Sequence, residues 1–420
     1  MSWVDTLSDK SSSSVPKKAR ILLFSYAFPP MQVQMTPAVF KPMAALSAQG
    51  FDIDVVCADD FSPVLAKDCS LTPFIGEYFA QIKRLKPHTH QRFKLPDRLS
   101  WQNVPDLMAP LHRCAFQYLM ACDLSKYQSI ITFSPFHSIN AVMYKIKQQR
   151  PNLRWIAQFS DPWAGNPLEI RLANKLWNQW YQPRCLSKID YLLHSSAYSL
   201  NLMLKRANTI PSSSVLPHVY SSYLYPKRPK AHNAKITLRY IGVLYGRRSP
   251  DTLFMALAQL LARQPALKER LCVELIGQVP AAMLNTKAAQ ALPAGLIRHI
   301  PPVDYVESLA LMYDADILLL IEADIQQNLF LASKVADYLG ANTPIVGLVP
   351  SGSSKDILAE LGCEYAHPRA VHDICLALEK TLKNVMSHHP QDWCNHAVRE
   401  RFSDKIIAEN FAHIIQGRAL

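Results

Sequence analysis

The stretch from Asp316 to Leu348, DILLLIEADIQQNLFLASKVADYLGANTPIVGL, constrains the fold more than any other part of this chain. Its apolar opening, Ile317–Ile321, reads as a short buried strand that gives way to a polar loop. A helix is expected from about Ser333 to Leu339. Asn342-Thr343-Pro344 then announces a second strand, Ile345–Leu348. Strand, loop, helix and strand make a βαβ unit, whose ligand side is where the first strand ends and the helix begins. Ser333, Lys334 and Asp337 stand at that helix start. Free backbone N–H groups and a lysine there suit a phosphate, and an Asp one turn later suits a ribose hydroxyl. An ordinary buried βαβ unit with a surface lysine would read the same way.

The pattern recurs along the chain. Ile21–Tyr26 is a strand that ends at Ala27-Phe28-Pro29-Pro30, and a helix follows from about Thr36 to Gln49. Gly50 stops that helix before the strand Ile53–Cys57. Further strands are expected at Ser129–Phe133, Trp155–Phe159 and Tyr191–His194, with helices at about Ser138–Gln149 and Ser199–Arg206. Prolines, serine pairs and a basic cluster then interrupt the pattern over Pro211–Lys235. It restarts with Thr237–Ile241, a helix from Pro250 to about Gln264, strands at Cys272–Ile276 and Ile297–Ile300, and a helix at Val306–Tyr313. The last helix is expected at about Asp404–Ile415. With 420 residues the chain exceeds one core. The expected division is a polar tail (1–19), an N-terminal α/β domain (20–215), a linker (216–235), a C-terminal α/β domain (236–395) and a terminal helix (396–420) packing back on the first domain. Two such domains form a cleft walled by strand C-termini.

Composition narrows the function classes. Charged residues are 19% and apolar residues 49% of the chain, a globular balance. No apolar run approaches the roughly 20 residues of a membrane span. The first residues, MSWVDTLSDKSSSSVPKKAR, lack a signal-peptide core. Nine cysteines are scattered without CxxC pairs, which fits free thiols in a cytoplasmic protein. A net charge of +12 points to an anionic partner: nucleic acid, acidic lipid or a phosphate-bearing substrate. The absence of zinc-finger, KH and RNP motifs speaks against nucleic acid.

Seven segments, in order and at expected strand ends, resemble one family. They are FSYAFPP (Phe24–Pro30), LPDRLSW (Leu95–Trp101), IITFSPFHS (Ile130–Ser138), FSDPW (Phe159–Trp163), YIGVLYGRRSP (Tyr240–Pro250), VELIG (Val273–Gly277) and SKVADYLGANTPIVGL (Ser333–Leu348). From Ile21 to about Phe411 the chain resembles bacterial GT-B glycosyltransferases, in particular family 4-like enzymes carrying a DPW element. The resemblance implies an α/β GT-B fold, two Rossmann-like domains facing a central cleft. It implies a nucleotide-sugar donor held by the C-terminal domain and a glycan or lipid-linked acceptor met by the N-terminal one. It also implies retention of anomeric configuration, no cofactor and no metal. The one DxD-like spacing, Asp52-x-Asp54, opens a strand far from the ligand end and reads as structural.

The resemblance assigns roles residue by residue. Gly242 ends a strand and starts the turn to Arg247 and Arg248. Arg248, two residues before Pro250, holds the position expected to contact the leaving diphosphate, with Arg247 beside it. Lys334 is the second cation and Ser333 a donor at the helix start, while Asp337 stands where relatives place a ribose-binding Glu. His137 can contact the donor sugar or acceptor, or can be structural. Asp161 can orient or deprotonate the acceptor hydroxyl, or can cap its loop. Four departures stand out. Leu329 replaces the family's other glutamate, leaving Gln326, Gln327 or Asn328 as substitutes. Met31–Thr36 replaces a paired-glycine loop in a chain with only 12 glycines, and Ser160 replaces an arginine. Asp337 is itself shorter than the usual Glu. The stretch Phe79–Arg113 mixes Lys83, Arg84, Lys86, Arg92, Lys94 and Arg98 with Phe93, Leu95, Leu99 and Trp101. That mixture suits peripheral attachment to an anionic membrane, the inner face of the cell membrane, or a solvated basic insertion. Two other functions fit the same architecture: an epimerase acting on a nucleotide sugar, and a GT-B protein that binds without transfer.

Overall fold

The computed structural model describes residues 19–59, 66–87, 104–134, 136–167, 169–231, 233–387 and 393–418. Its N-terminal half is built on seven strands: β1 (Arg20–Phe24), β2 (Asp52–Ala58), β3 (Gln81–Leu85), β4 (Ser129–Phe133), β5 (Trp155–Phe159), β6 (Tyr191–His194) and β7 (Ser212–Val215). They form one parallel sheet in the order β3-β2-β1-β4-β5-β6-β7. The C-terminal half contains β8 (Ile236–Ile241), β9 (Leu271–Ile276), β10 (Ile297–Ile300), β11 (Ile317–Ile321), β12 (Gln327–Asn328), β13 (Ile345–Leu348), β14 (Ser351–Gly352) and β15 (Glu364–Ala366). Six of these make a second parallel sheet, β10-β9-β8-β11-β13-β15, and β12 pairs with β14 apart from it.

The central strands are near-continuous Ile, Leu, Val and Phe because helices cover both faces of each sheet and leave no solvent side. All five residues of β11 and all five of β4 are buried. Three aliphatic and aromatic cores result. One lies on the outer side of each sheet, and a third runs between the halves, joining Phe28 and Phe40 to Tyr225, Val335 and Phe411.

Both sheets reverse strand order at one place, β1/β4 in the first and β8/β11 in the second. In open α/β sheets such reversals open a crevice at the strand C-termini, because the crossover helices leave in opposite directions. The first helix, Met35–Ala48, starts from the loop after β1, and the helix Ser138–Gln149 follows β4. In the second half the turn after β8 and the helix Ser333–Ala341 flank the reversal.

The expected element types are present, with shifted bounds. The first strand ends at Phe24, and the Pro211–Lys235 break contains β7, the edge strand of the first sheet. That edge strand is Ser-rich, so its composition reads as loop while its backbone pairs with β6. The terminal helix Asp404–Ile415 lies against Met35–Ala48 and the first sheet. Phe411 packs on Phe133 at 6.3 Å, and Arg154 and Gln128 donate to the carbonyls of Ile414 and Ile415 at 2.5 and 3.4 Å. Asp54, in the DxD-like spacing, is buried and paired with Arg20 at 3.2 Å.

Candidate active site

At the reversal of the second sheet, Gly242 follows β8 with φ +144°. A methyl group there would lie 2.1 Å from Lys334 Nζ, so the missing side chain is the space that the ammonium fills. Gly277, after β9, has φ +122°, and its methyl would lie 2.2 Å from the Gly242 carbonyl oxygen. Two glycines thus let two strand ends and a lysine converge. Lys334 Nζ donates to Tyr240 Oη at 3.1 Å and stands 4.5 Å over the Tyr240 ring. Burial, and then the nearby Arg248, pull its pKa down to about 7, against the opposing pull of Glu322 and Asp337.

Arg248 lies over Tyr245 at 5.2 Å, and its buried Nε has no hydrogen-bond partner. The helix Ser333–Ala341 begins after Ala332, which offers no side-chain cap, so its first turn has no capping side chain. An uncapped helix start, a half-neutral lysine and an arginine with a spare donor are the parts of an anion site. Glu322, buried at the end of β11, is held by Asn328 Nδ2 at 2.7 Å and Ser354 Oγ at 2.5 Å, and burial raises its pKa.

The other C-terminal candidates lie in different settings. Arg247 is exposed, and its carbonyl accepts from Asp324 N at 3.1 Å. Ser333 Oγ accepts from Gln34 Nε2 at 3.1 Å, which lays the glycine-poor first loop directly on the helix start. Asp337 is buried. Its Oδ1 takes Lys41 Nζ at 2.6 Å and Tyr305 Oη at 2.8 Å, and its backbone carbonyl takes Tyr225 Oη at 2.7 Å. The carboxylate therefore joins the two halves.

In the first half, His137 follows β4 beside the sheet reversal. Its ring stacks on Trp163 at 4.8 Å with planes 9° apart, and its Nδ1 is buried without a partner. Burial pushes its pKa down to about 3, so the ring is neutral near pH 7. The helix start beside it is capped by Asp106, which accepts from Ser138 N at 2.8 Å and Ser138 Oγ at 2.7 Å. Asp161 follows β5, and burial raises its carboxyl to about 6. Trp163 holds His137 against the turn that carries Asp161, so these two candidates share one aromatic support.

The halves also meet at Leu329. Its carbonyl accepts from Ser196 Oγ at 2.5 Å and Ser199 Oγ at 2.8 Å, both from the first half. The position that lacks the family's glutamate thus works through its main chain. Of the substitutes, Asn328 has both ends engaged, by Glu322 and by Phe330 N, whereas Gln326 and Gln327 are exposed.

Residue patterns did not single out Lys41, Tyr240, Glu322 or Asp106. Lys41 left a signal, a lone cation inside the apolar run Val39–Leu46. Glu322 left another, an acid closing the strand ILLLI. The motif Leu95–Trp101 and the basic residues Arg92, Lys94 and Arg98 lie outside the described residues. Among the described residues no helix is long and apolar enough to cross a membrane, and no three His, Cys, Asp or Glu side chains gather as a metal site requires.

No family model matches this chain, and no curated protein does. Solved structures do. Sucrose-phosphate synthase from Thermosynechococcus elongatus superposes with a TM-score of 0.66 at 16% identity, over 95% of this chain and 99% of that one. The Anabaena protein HepE, in complex with UDP and glucose, gives 0.63 at 11% identity, over 95% and 100%. The apo lipopolysaccharide outer core galactosyltransferase WaaB gives 0.59 at 14% identity, over 95% and 99%. These likenesses span nearly the whole of each molecule, both sheets included, and with the strand orders above they establish that this chain has the GT-B fold, two Rossmann-like halves facing a central cleft.

Proposed function

We propose that this chain is a glycosyltransferase. It would move a sugar from a nucleotide-diphosphate donor to a hydroxyl of a glycan or lipid-linked saccharide, with retention and without a bound metal, in building a bacterial surface polysaccharide or glycan. The observation that carries this reading is the meeting of Lys334, Arg248 and an uncapped helix start over Gly242, at the switch point of the second sheet. In this reading Lys334 and Arg248 neutralise charge that builds on the leaving nucleoside diphosphate. Ser333 and the first-turn N–H groups hold a phosphate oxygen once Gln34 gives way. Lys41 and Tyr305 share Oδ1 of Asp337, and Oδ2 is the oxygen offered to a ribose hydroxyl. His137, held neutral, hydrogen-bonds the donor sugar or acceptor and carries no charge to it. Asp161, titrating near 6, is ionised at pH 7 yet basic enough to take the acceptor's proton.

The test is thermal stabilisation by UDP, GDP, ADP, dTDP and CMP, on wild type and Lys334→Ala. UDP heads the panel because the HepE structure holds it. A shift selective for one nucleotide and lost in the variant supports the donor site and names its base. A folded protein that no nucleotide stabilises would favour a GT-B protein that binds without transfer. Conversion of the donor sugar with no acceptor present would make it an epimerase.

A further inference from the structure

The helix Leu172–Leu186 buries a polar row and exposes an apolar one. Beside the apolar Cys185 and Leu186 it buries a polar row: Asn174, Asn178 and Gln182 are 5%, 5% and 0% exposed. Asn174 Nδ2 donates to Glu169 Oε2 at 2.9 Å, and the other two clamp the turn after β5. Trp163 Nε1 donates to Asn178 Oδ1 at 2.9 Å, and Ala164 N donates to Gln182 Oε1 at 2.6 Å. Its exposed face carries Lys175, Gln179 and Arg184 together with an apolar row: Leu172, Leu176 and Trp180 are 69%, 55% and 51% exposed, and Ile170 just before the helix is 85% exposed. Spacing by four puts Leu172, Leu176 and Trp180 in one row of about 12 Å. Arg184 continues that row with its guanidinium 3.9 Å over the Trp180 ring.

Single exposed apolar residues are ordinary on a protein surface. A continuous row of three opposite a buried polar row departs from the pattern of a water-facing helix, and it calls for an apolar partner. The border of the row identifies that partner. Lys175, Arg184 and Lys188 are exposed beside it, and residues 170–188 contain no acid. Leucines that sink to the acyl boundary, a tryptophan at headgroup depth and cations among anionic headgroups are the layers of a lipid–water interface, met here on one helix face. The chain's net charge of +12 has the sign such a surface attracts.

We propose that Ile170 and the outer row of the helix Leu172–Leu186 dock this protein on the surface of an anionic lipid bilayer. The docking face is separate in sequence from the basic stretch 79–113. It stands independently of the donor reading, because the binding needs no nucleotide. The inner row ties that face to the turn holding Asp161, so docking sets the height of the cleft above the headgroups. An acceptor whose reactive end stands at headgroup level would then meet Asp161 without leaving its membrane.

The test is co-sedimentation without nucleotide, using vesicles of phosphatidylcholine alone or with about 30 mol% phosphatidylglycerol. Wild type is expected on the anionic vesicles and to leave them as salt rises. Leu176→Ser/Trp180→Ser is expected to lower the partition coefficient at least ~10-fold, with an unchanged melting temperature showing that it folds. Lys175→Glu/Arg184→Glu, which leaves the apolar row in place, is expected to abolish the preference for anionic vesicles. Wild type failing to bind either vesicle, or binding undiminished in the Leu176/Trp180 variant, would overturn the proposal. So would a homodimer that this variant dissolves, which would make the row a subunit interface.

Discussion

Lys334 is a cation held where it is costly to be one. Burial first, and Arg248 second, bring its pKa to about 7, so near neutral pH the free site is an even mixture of ammonium and amine. In the proposed reading a diphosphate binds the ammonium. Its affinity should therefore fall as pH rises above about 7, by up to ~10-fold per unit, and titration calorimetry with the stabilising nucleotide between pH 6 and 8.5 reads this directly. A pH-independent wild type would sink the idea; Lys334→Arg, always charged, should be flat. The same depressed pKa acts on folding. The unfolded lysine binds more protons than the native one between the native value and about 10.4, so stability rises with pH across that window. Below pH 7 the native site carries the cost in full. Lys334→Met should thus raise the melting temperature of the nucleotide-free protein at pH 6 by about 2–4 °C while losing nucleotide stabilisation. A variant that merely damaged the fold would lower both.

At the scale of elements, the site depends on how closely strand ends approach one another. Gly277 lets the chain after β9 pass beside the Gly242 carbonyl, and Gly242 admits Lys334. Gly277→Ala should cost at least ~2 kcal/mol, because a methyl at φ +122° is strained and also strikes backbone that no side-chain rotation can clear. Denaturant unfolding measures that cost, and nucleotide stabilisation should be lost with it. A fully stable variant would show that the turn after β9 can shift freely. The glycines illustrate what was legible: each strand end was marked by its motif, YIG and VELIG, but the motif does not say which atom occupies the space left by the missing side chain. Composition misread β7 because a serine-rich edge strand owes its structure to pairing with β6 more than to its own residues.

Across the whole molecule, the halves are pinned by groups far apart in sequence. Lys41 and Asp337 lie 296 positions apart and meet at 2.6 Å, with side chains only 4% and 10% exposed. Removing one partner strands the other charge in a low dielectric. Lys41→Met should cost about 3–5 kcal/mol, whereas the double variant Lys41→Met/Asp337→Asn should recover much of that loss. Additive losses in a double-mutant cycle would show that the pair does not act as a pair. Asp337→Asn also separates two roles. Weaker folding with nucleotide affinity intact assigns the carboxylate to the interface, and weaker affinity in a folded protein assigns it to the ribose. Serine hydroxyls on Leu329 and the terminal helix on the first sheet add further ties between the halves.

The sequence by itself determined the two parallel sheets, the strand ends that wall the cleft, and the Gly242, Arg248 and Lys334 positions. Apolar periodicity, turn residues and glycine placement act over a few neighbours, so they can be read locally. Only the tertiary structure decided that Asp337 pairs with Lys41, that Leu329 contributes a carbonyl, that Arg247 is exposed, and that the helix Leu172–Leu186 shows Leu172, Leu176 and Trp180 to the outside. Each of these depends on which distant group fills the space opposite a side chain. Packing and the pairing of buried charges settle that, and neither is carried by the residues adjacent in the chain.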